Sequence, residues 1–130
     1  MIGLDTNVLV RYVVRDDGAQ ARQADGLIDA LTPDAPGFVP LVVLVECWWV
    51  LDRAYSYPLD RRRAFVEALL ATQELRVEQA DTVRAALRRT DDGADLADAL
   101  IAVGAAEAGC DTVMTFDRRA ARVAGMTLLT

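Results

Sequence analysis

Four carboxylates, Asp5, Glu46, Asp98 and Asp117, stand in apolar surroundings at widely separated points of this chain. Asp5 ends the run Ile2-Gly3-Leu4, and Glu46 interrupts the most hydrophobic stretch. Asp98 lies within the apolar segment Leu96 to Ala108, and Asp117 follows Val113-Met114-Thr115-Phe116. A carboxylate is costly in such surroundings unless something compensates it. Four that converge would repel one another, and a hard divalent cation, Mg²⁺ or Mn²⁺, is the simplest compensation. Such a centre polarises a phosphate ester and activates water, which is the chemistry of a metal-dependent nuclease.

Each acid also has a plainer reading. Asp5 and Asp117 could each cap the helix that follows, gaining from its backbone N–H groups and dipole. Glu46 has Val42 four residues before it and Trp49 three after, so its helix face is expected to be buried, with a satisfied ion pair as the alternative. Asp95 precedes Asp98 by one helical turn. Like charges at that spacing repel mildly, which suggests a metal ligand, Asp98, and a carboxylate that tunes it, Asp95. Alone, Asp95 could simply serve the helix dipole.

A chain of 130 residues with 53% hydrophobic content is expected to form a single domain, residues 1–130, around one core. Only 6% of it is aromatic, so aliphatic side chains must fill most of that core. The basic residues are all Arg; Lys and His are absent. Those absences exclude histidine general bases, His-ligated zinc, Walker-type phosphate loops and Lys Schiff bases. A net charge of −6 argues against a cationic protein that wraps nucleic acid, but not against a nuclease whose metal inverts the local field. Arg61-Arg62-Arg63 and Arg88-Arg89 read as solvated helix faces that could still meet phosphates. Cys47 and Cys110 lack metal-ligand spacing and read as buried free thiols, which suits a reducing cytoplasm. No basic-then-apolar leader precedes the first strand and no apolar run is long enough to span a bilayer, so a cytoplasmic protein without a membrane partner is the expectation.

Short strands alternate with helical patterns along the chain. Strands are expected at Ile2–Leu4, Phe38–Val39, Leu75–Val77 and Thr112–Thr115, with a last edge strand near Met126–Leu129. The first helix follows with Thr6 or Asn7 as cap, the second covers residues 19–31, and the third runs from Pro40 to Ala54. A fourth is capped by Asp60, a fifth spans residues 78–89, and a sixth spans residues 94–108 and closes on Gly109 in a left-handed conformation. A short helix follows Asp117. This alternation predicts an α/β fold of three layers, a short central parallel sheet flanked by helices on both faces. Sites in such sheets lie beyond the carboxyl ends of the strands, where Asp5 and Asp117 fall. Adjacent Trp48 and Trp49 point roughly 100° apart on a helix and cannot share one core stripe. With Tyr55 and Tyr57 they could form an exposed apolar patch; the alternative is that the two Trp wedge into separate parts of a thin core.

The chain resembles PIN domains and, among them, the VapC-type toxins of prokaryotic type II toxin–antitoxin modules. The resemblance is carried by Ile2-Gly3-Leu4-Asp5-Thr6-Asn7-Val8-Leu9-Val10, by Leu44-Val45-Glu46-Cys47-Trp48-Trp49-Val50-Leu51, by Gly93-Ala94-Asp95-Leu96-Ala97-Asp98-Ala99-Leu100-Ile101-Ala102, and by Gly109-Cys110-Asp111-Thr112-Val113-Met114-Thr115-Phe116-Asp117-Arg118. It runs from residue 2 to about residue 129. One departure is Pro40-Leu41, where relatives often carry a Ser.

The resemblance implies that Asp5, Glu46, Asp98 and Asp117 are metal ligands and catalytic residues, with Asp95 an additional, weaker one. It implies that Thr6, Asn7 and Thr115 support the acidic centre. It further implies hydrolysis of RNA with Mg²⁺ or Mn²⁺, a homodimer, and inhibition by a cognate antitoxin. The alternatives are a PIN nuclease of RNA processing and a non-catalytic binding module on the same fold. A phosphatase that uses Asp after its first strand would ordinarily need a Lys, and none is present.

Overall fold

The computed structural model describes all residues from Met1 to Thr130 as an α/β protein with seven α-helices and short, all-parallel strands. Two compact units are distinguished, Met1–Glu78 and Gln79–Thr130.

The first unit contains β1 (Ile2–Gly3), α1 (Thr6–Val14), α2 (Gly18–Asp29), β2 (Gly37–Val39), α3 (Leu41–Arg53), α4 (Leu59–Ala71) and β3 (Leu75–Val77). Its strands pair in the order β1-β2-β3, with Ile2 opposite Gly37 and Phe38 opposite Arg76. Parallel neighbours need a crossover, and each is supplied by a pair of helices. Gly37 is required by close packing: a Cβ there would lie 2.9 Å from both Leu4 and Leu31. Val39, Leu44, Leu51 and Val66 are fully buried around this sheet.

Local capping sets several boundaries. The side chain of Asp17 accepts from the Gln20 N–H at 3.0 Å and starts α2. Pro40 stands just before α3 and offers no side-chain cap, but Glu78 Oε1 accepts the Leu41 N–H at 2.7 Å. That use of Glu78, together with Gln79 in a left-handed conformation at φ 51°, delays the next helix to Ala80 rather than residue 78. The fourth helix likewise begins at Leu59, after Pro58; Asp60 lies inside its first turn rather than at the cap.

The second unit contains α5 (Ala80–Arg89), a 3₁₀ turn (Thr90–Asp92), α6 (Leu96–Glu107), β4 (Met114–Thr115), α7 (Arg118–Val123) and β5 (Thr127–Leu128). Helices α5 and α6 pack through Val83, Ala86, Leu96 and Ala99, all fully buried, and Thr82 donates to Glu107 at 2.6 Å. At the end of α6 the Cys110 N–H reaches Ala105 O and the Gly109 N–H reaches Ala106 O, a Schellman motif with Gly109 at φ 96°. The motif carries the chain out of the helix and leaves Cys110 exposed, contrary to the expectation of two buried thiols; only Cys47 is buried. Strand β4 is shorter than its apolar run and pairs with β5, Met114 opposite Thr127. No helix is long and apolar enough to cross a membrane.

Candidate active site

In the first unit, Asp5 follows the carboxyl end of β1 and is itself the N-cap of α1, one of its two readings in the sequence, while Thr6 and Asn7, the other candidate caps, lie inside the helix. Its Oδ1 accepts the Thr6 N–H at 2.7 Å, while Oδ2 accepts no hydrogen bond from the protein. Thr6 Oγ1 is buried without a hydrogen-bond partner. Burying a hydroxyl unpaired is costly, so this atom is a place where a bound group would be welcome.

Asp5, Thr6, Asn7 and Glu46 line one cleft of about 310 Å³, together with Arg11 and Tyr55. Glu46 is exposed, which corrects the expectation of a buried helix face. The core stripe of α3 is Val43, Leu44, Cys47, Trp48 and Leu51, which leaves Val42 69% and Trp49 41% exposed on the side that carries Glu46. Trp48 is buried and Trp49 is not, as their adjacency requires. The neighbouring Cys47 thiol is pushed up to about 12, first by burial and then by Glu46 and Asp5. It is therefore a packing residue and not a nucleophile.

In the second unit, Asp95 is the N-cap of α6 and accepts the Ala97 N–H at 3.2 Å. Asp98 lies in the first turn, half-buried. Burial pushes its carboxyl above the usual aspartate value, and the negative charges of Asp95 and Asp117 push it further. Asp117 caps α7: its Oδ1 accepts from the Arg119 N–H at 2.8 Å and the Ala120 N–H at 3.2 Å. Thr115 accepts the Asp117 N–H through Oγ1 at 3.0 Å and so fixes the backbone that carries the acid.

The structure thus groups Asp5 and Glu46 on one cleft of the first unit, and it couples Asp95, Asp98 and Asp117 electrostatically within the second. Neither unit holds, by itself, three or more acidic or cysteine side chains arranged to bind a metal ion. The donor chemistry nevertheless suits a hard cation. Every candidate ligand is a carboxylate oxygen, and an unpaired buried hydroxyl stands next to Asp5.

Sequence reading missed the polar network beside Asp5. Arg11 bonds to Gln20, Asp16 and Tyr55, and Tyr55 also donates to Asp16 at 2.8 Å. Tyr55 is therefore tied into a polar cluster and does not join the apolar patch expected around Trp49. No local signal in the sequence announces it, because Tyr55 lies 44 positions from Arg11.

The PIN domain family model matches residues 2–126, and the chain belongs to that family. PIN domains are generally nucleases and typically use divalent metals, which makes nucleic acid the expected substrate class. No curated protein matches the chain.

Proposed function

We propose that this protein is a Mg²⁺- or Mn²⁺-dependent endoribonuclease in which residues 1–130 act as one domain, and that it serves as the toxin of a toxin–antitoxin pair. Family membership supports hydrolysis of nucleic acid. The observation that carries metal dependence is the unfinished start of α1, where Asp5 Oδ2 and Thr6 Oγ1 have no protein partner. Asp5, Glu46, Asp98 and Asp117 would hold the ion, with Asp95 as a weaker contributor. When bound, it supplies charge to the scissile phosphate and acidifies the attacking water. Thr6 and Asn7 would orient the Asp5 carboxylate, and Thr115 would fix Asp117. Since the chain has no His, either a carboxylate of this chain or acidification by the ion alone would manage the proton of the attacking water.

RNA is preferred as substrate because unpaired bases pass a narrow acidic cleft more readily than a duplex does. Exposed Val42 and Trp49 on α3 support a protein partner. A homodimer and a cognate antitoxin that brings apolar side chains and a basic residue would both suit this chain. Its cysteines are free, which fits action in the cytoplasm.

The direct test is calorimetric titration of the metal-free protein with Mn²⁺, paired with cleavage of RNA. Binding in wild type that is lost in the Asp5→Asn/Asp98→Asn double variant is the expected result. Absence of binding, or unchanged binding in the double variant, overturns the metal assignment. Expression with and without the neighbouring upstream reading frame tests the toxin role. Growth arrest relieved by co-expression supports it, whereas harmless expression of an active nuclease favours RNA processing. A folded protein that binds RNA without cutting it would favour a binding module.

A further inference from the structure

Arg11 lines the cleft shared by Asp5 and Glu46, and it also lines a second cleft of about 230 Å³ formed by α1 and α2. Its guanidinium is held from several directions. Nε donates to Gln20 Oε1 at 2.7 Å, and Nη1 donates to Asp16 Oδ1 and to Tyr55 Oη, each at 3.2 Å. A guanidinium has five N–H donors. The three on Nε and Nη1 are engaged, and those on Nη2 have no partner in the protein.

The guanidinium plane is fixed, and the Nη2 edge of this cleft-lining residue remains for a ligand that accepts hydrogen bonds. Because the side chain is already ordered, an anion placed there costs little further rotamer entropy. Asp16 offsets much of the local charge, so recognition has to come from the direction of the free N–H groups. In a chain of net charge −6, diffuse attraction of a polyanion is weak and point contacts of this kind matter more.

We propose that Arg11, through Nη2, binds a backbone phosphate of single-stranded RNA adjacent to the phosphate that is cleaved, and so sets the path of the strand out of the acidic cleft. This assignment rests on the nuclease reading. Arg11 is a substrate-binding residue and is not one of the metal-holding carboxylates.

The experiment is steady-state cleavage of a short, end-labelled single-stranded RNA in Mn²⁺ by wild type, Arg11→Gln and Arg11→Lys, across a range of salt. Loss of one charge-assisted contact should raise KM by about tenfold in Arg11→Gln with kcat within about twofold. The salt slope should fall by about one, and Arg11→Lys should recover only part of the affinity. Since Arg11→Gln also cuts the ties to Asp16 and Tyr55, its folding is checked by circular dichroism. A second measurement needs no variant: phosphates of the RNA are replaced one at a time by neutral methylphosphonates, and binding to wild type is read. One sensitive position flanking the cleavage site is expected, and its penalty should vanish in folded Arg11→Gln. Unchanged KM and salt slope in that variant, or no sensitive flanking phosphate with wild type, overturns the role of Arg11 while leaving the nuclease intact. Wild type that does not cleave RNA in Mn²⁺ overturns the nuclease reading and this assignment with it.

Discussion

Asp5 and Asp117 occupy the same position in their respective units. Each comes two residues after the end of a short parallel strand, and each is the N-cap of the next helix. Their local chemistry differs. Asp117 spends one oxygen on two backbone N–H groups of α7, and Thr115 spends its hydroxyl on the Asp117 N–H. Asp5 takes only the N–H of the residue next to it, and the hydroxyl beside it is buried with no partner. Each acid keeps Oδ2 free of protein hydrogen bonds, but only Asp5 has a buried hydroxyl beside it that is also uncommitted. Nearly all buried polar groups in folded proteins are paired, so the unpaired Thr6 hydroxyl marks a place where folding alone does not complete the structure. The start of α1 is where a bound ion has most to add.

Activity separates the two acids most. Asn preserves the shape and the capping oxygen of either acid, so Asp5→Asn and Asp117→Asn should both fold. Asp5→Asn should lower kcat for RNA cleavage in Mn²⁺ by about 10²–10³-fold, the scale for removing a group that stabilises transition-state charge. Asp117→Asn should cost less, about 10²-fold or below, because the Asn oxygen that keeps the cap of α7 also stays in place as a ligand. Equal losses would mean that the cap geometry of Asp117 does not restrain its part in the chemistry.

A smaller effect separates the two hydroxyls. Thr115→Val removes an acceptor from the Asp117 N–H and should destabilise the metal-free protein by about 1 kcal/mol in urea unfolding. Thr6→Val replaces an unpaired buried hydroxyl by a methyl of the same shape and should be neutral or stabilising by up to about 1 kcal/mol without metal. The same Thr6→Val change should weaken Mn²⁺ binding in calorimetry. A Thr6→Val variant clearly less stable than wild type in chelator would show that its hydroxyl is satisfied in solution.

Much of this was legible in the chain. The parallel α/β class followed from short apolar runs spaced by helical periodicity, and strands near Ile2, Phe38 and Leu75 pair as such a class requires. Gly109 announced the end of α6 because few other residues adopt its backbone conformation readily. Helix starts were harder to place. Asp5 caps α1, although Thr6 and Asn7 next to it are also capping residue types, and Asp95 caps α6 one residue beyond the expected start at Ala94.

The solvent-facing side of α3 was misread because Val42 and Trp49 are apolar, and hydrophobicity predicts burial in one direction only. The network of Arg11, Asp16, Gln20 and Tyr55 joins residues up to 44 positions apart and carries no local signature. The pairing of Asp5 and Glu46 on one cleft also depends on tertiary placement, which helix periodicity cannot supply.

The smallest predicted effect concerns Asp98 and pH. Burial first, and Asp95 and Asp117 after it, raise its folded carboxyl above the ordinary value of 3.8. The folded state then binds this proton more tightly than the unfolded state does, so stability falls as pH rises. The contribution is complete below the ordinary value and is lost as pH climbs through the raised one, leaving at neutral pH a charged group that the metal-free fold disfavours. Asp98→Asn removes both the titration and the repulsion. In chelator its melting temperature should exceed that of wild type at pH 7, and the advantage should disappear below the ordinary aspartate range. Added Mn²⁺ should reverse the ranking, because wild type gains a bound ion that the variant holds poorly. Asp98→Asn melting below wild type in chelator at pH 7 would mean that a positive charge already compensates this carboxylate, and the case for a metal there would lose its electrostatic basis.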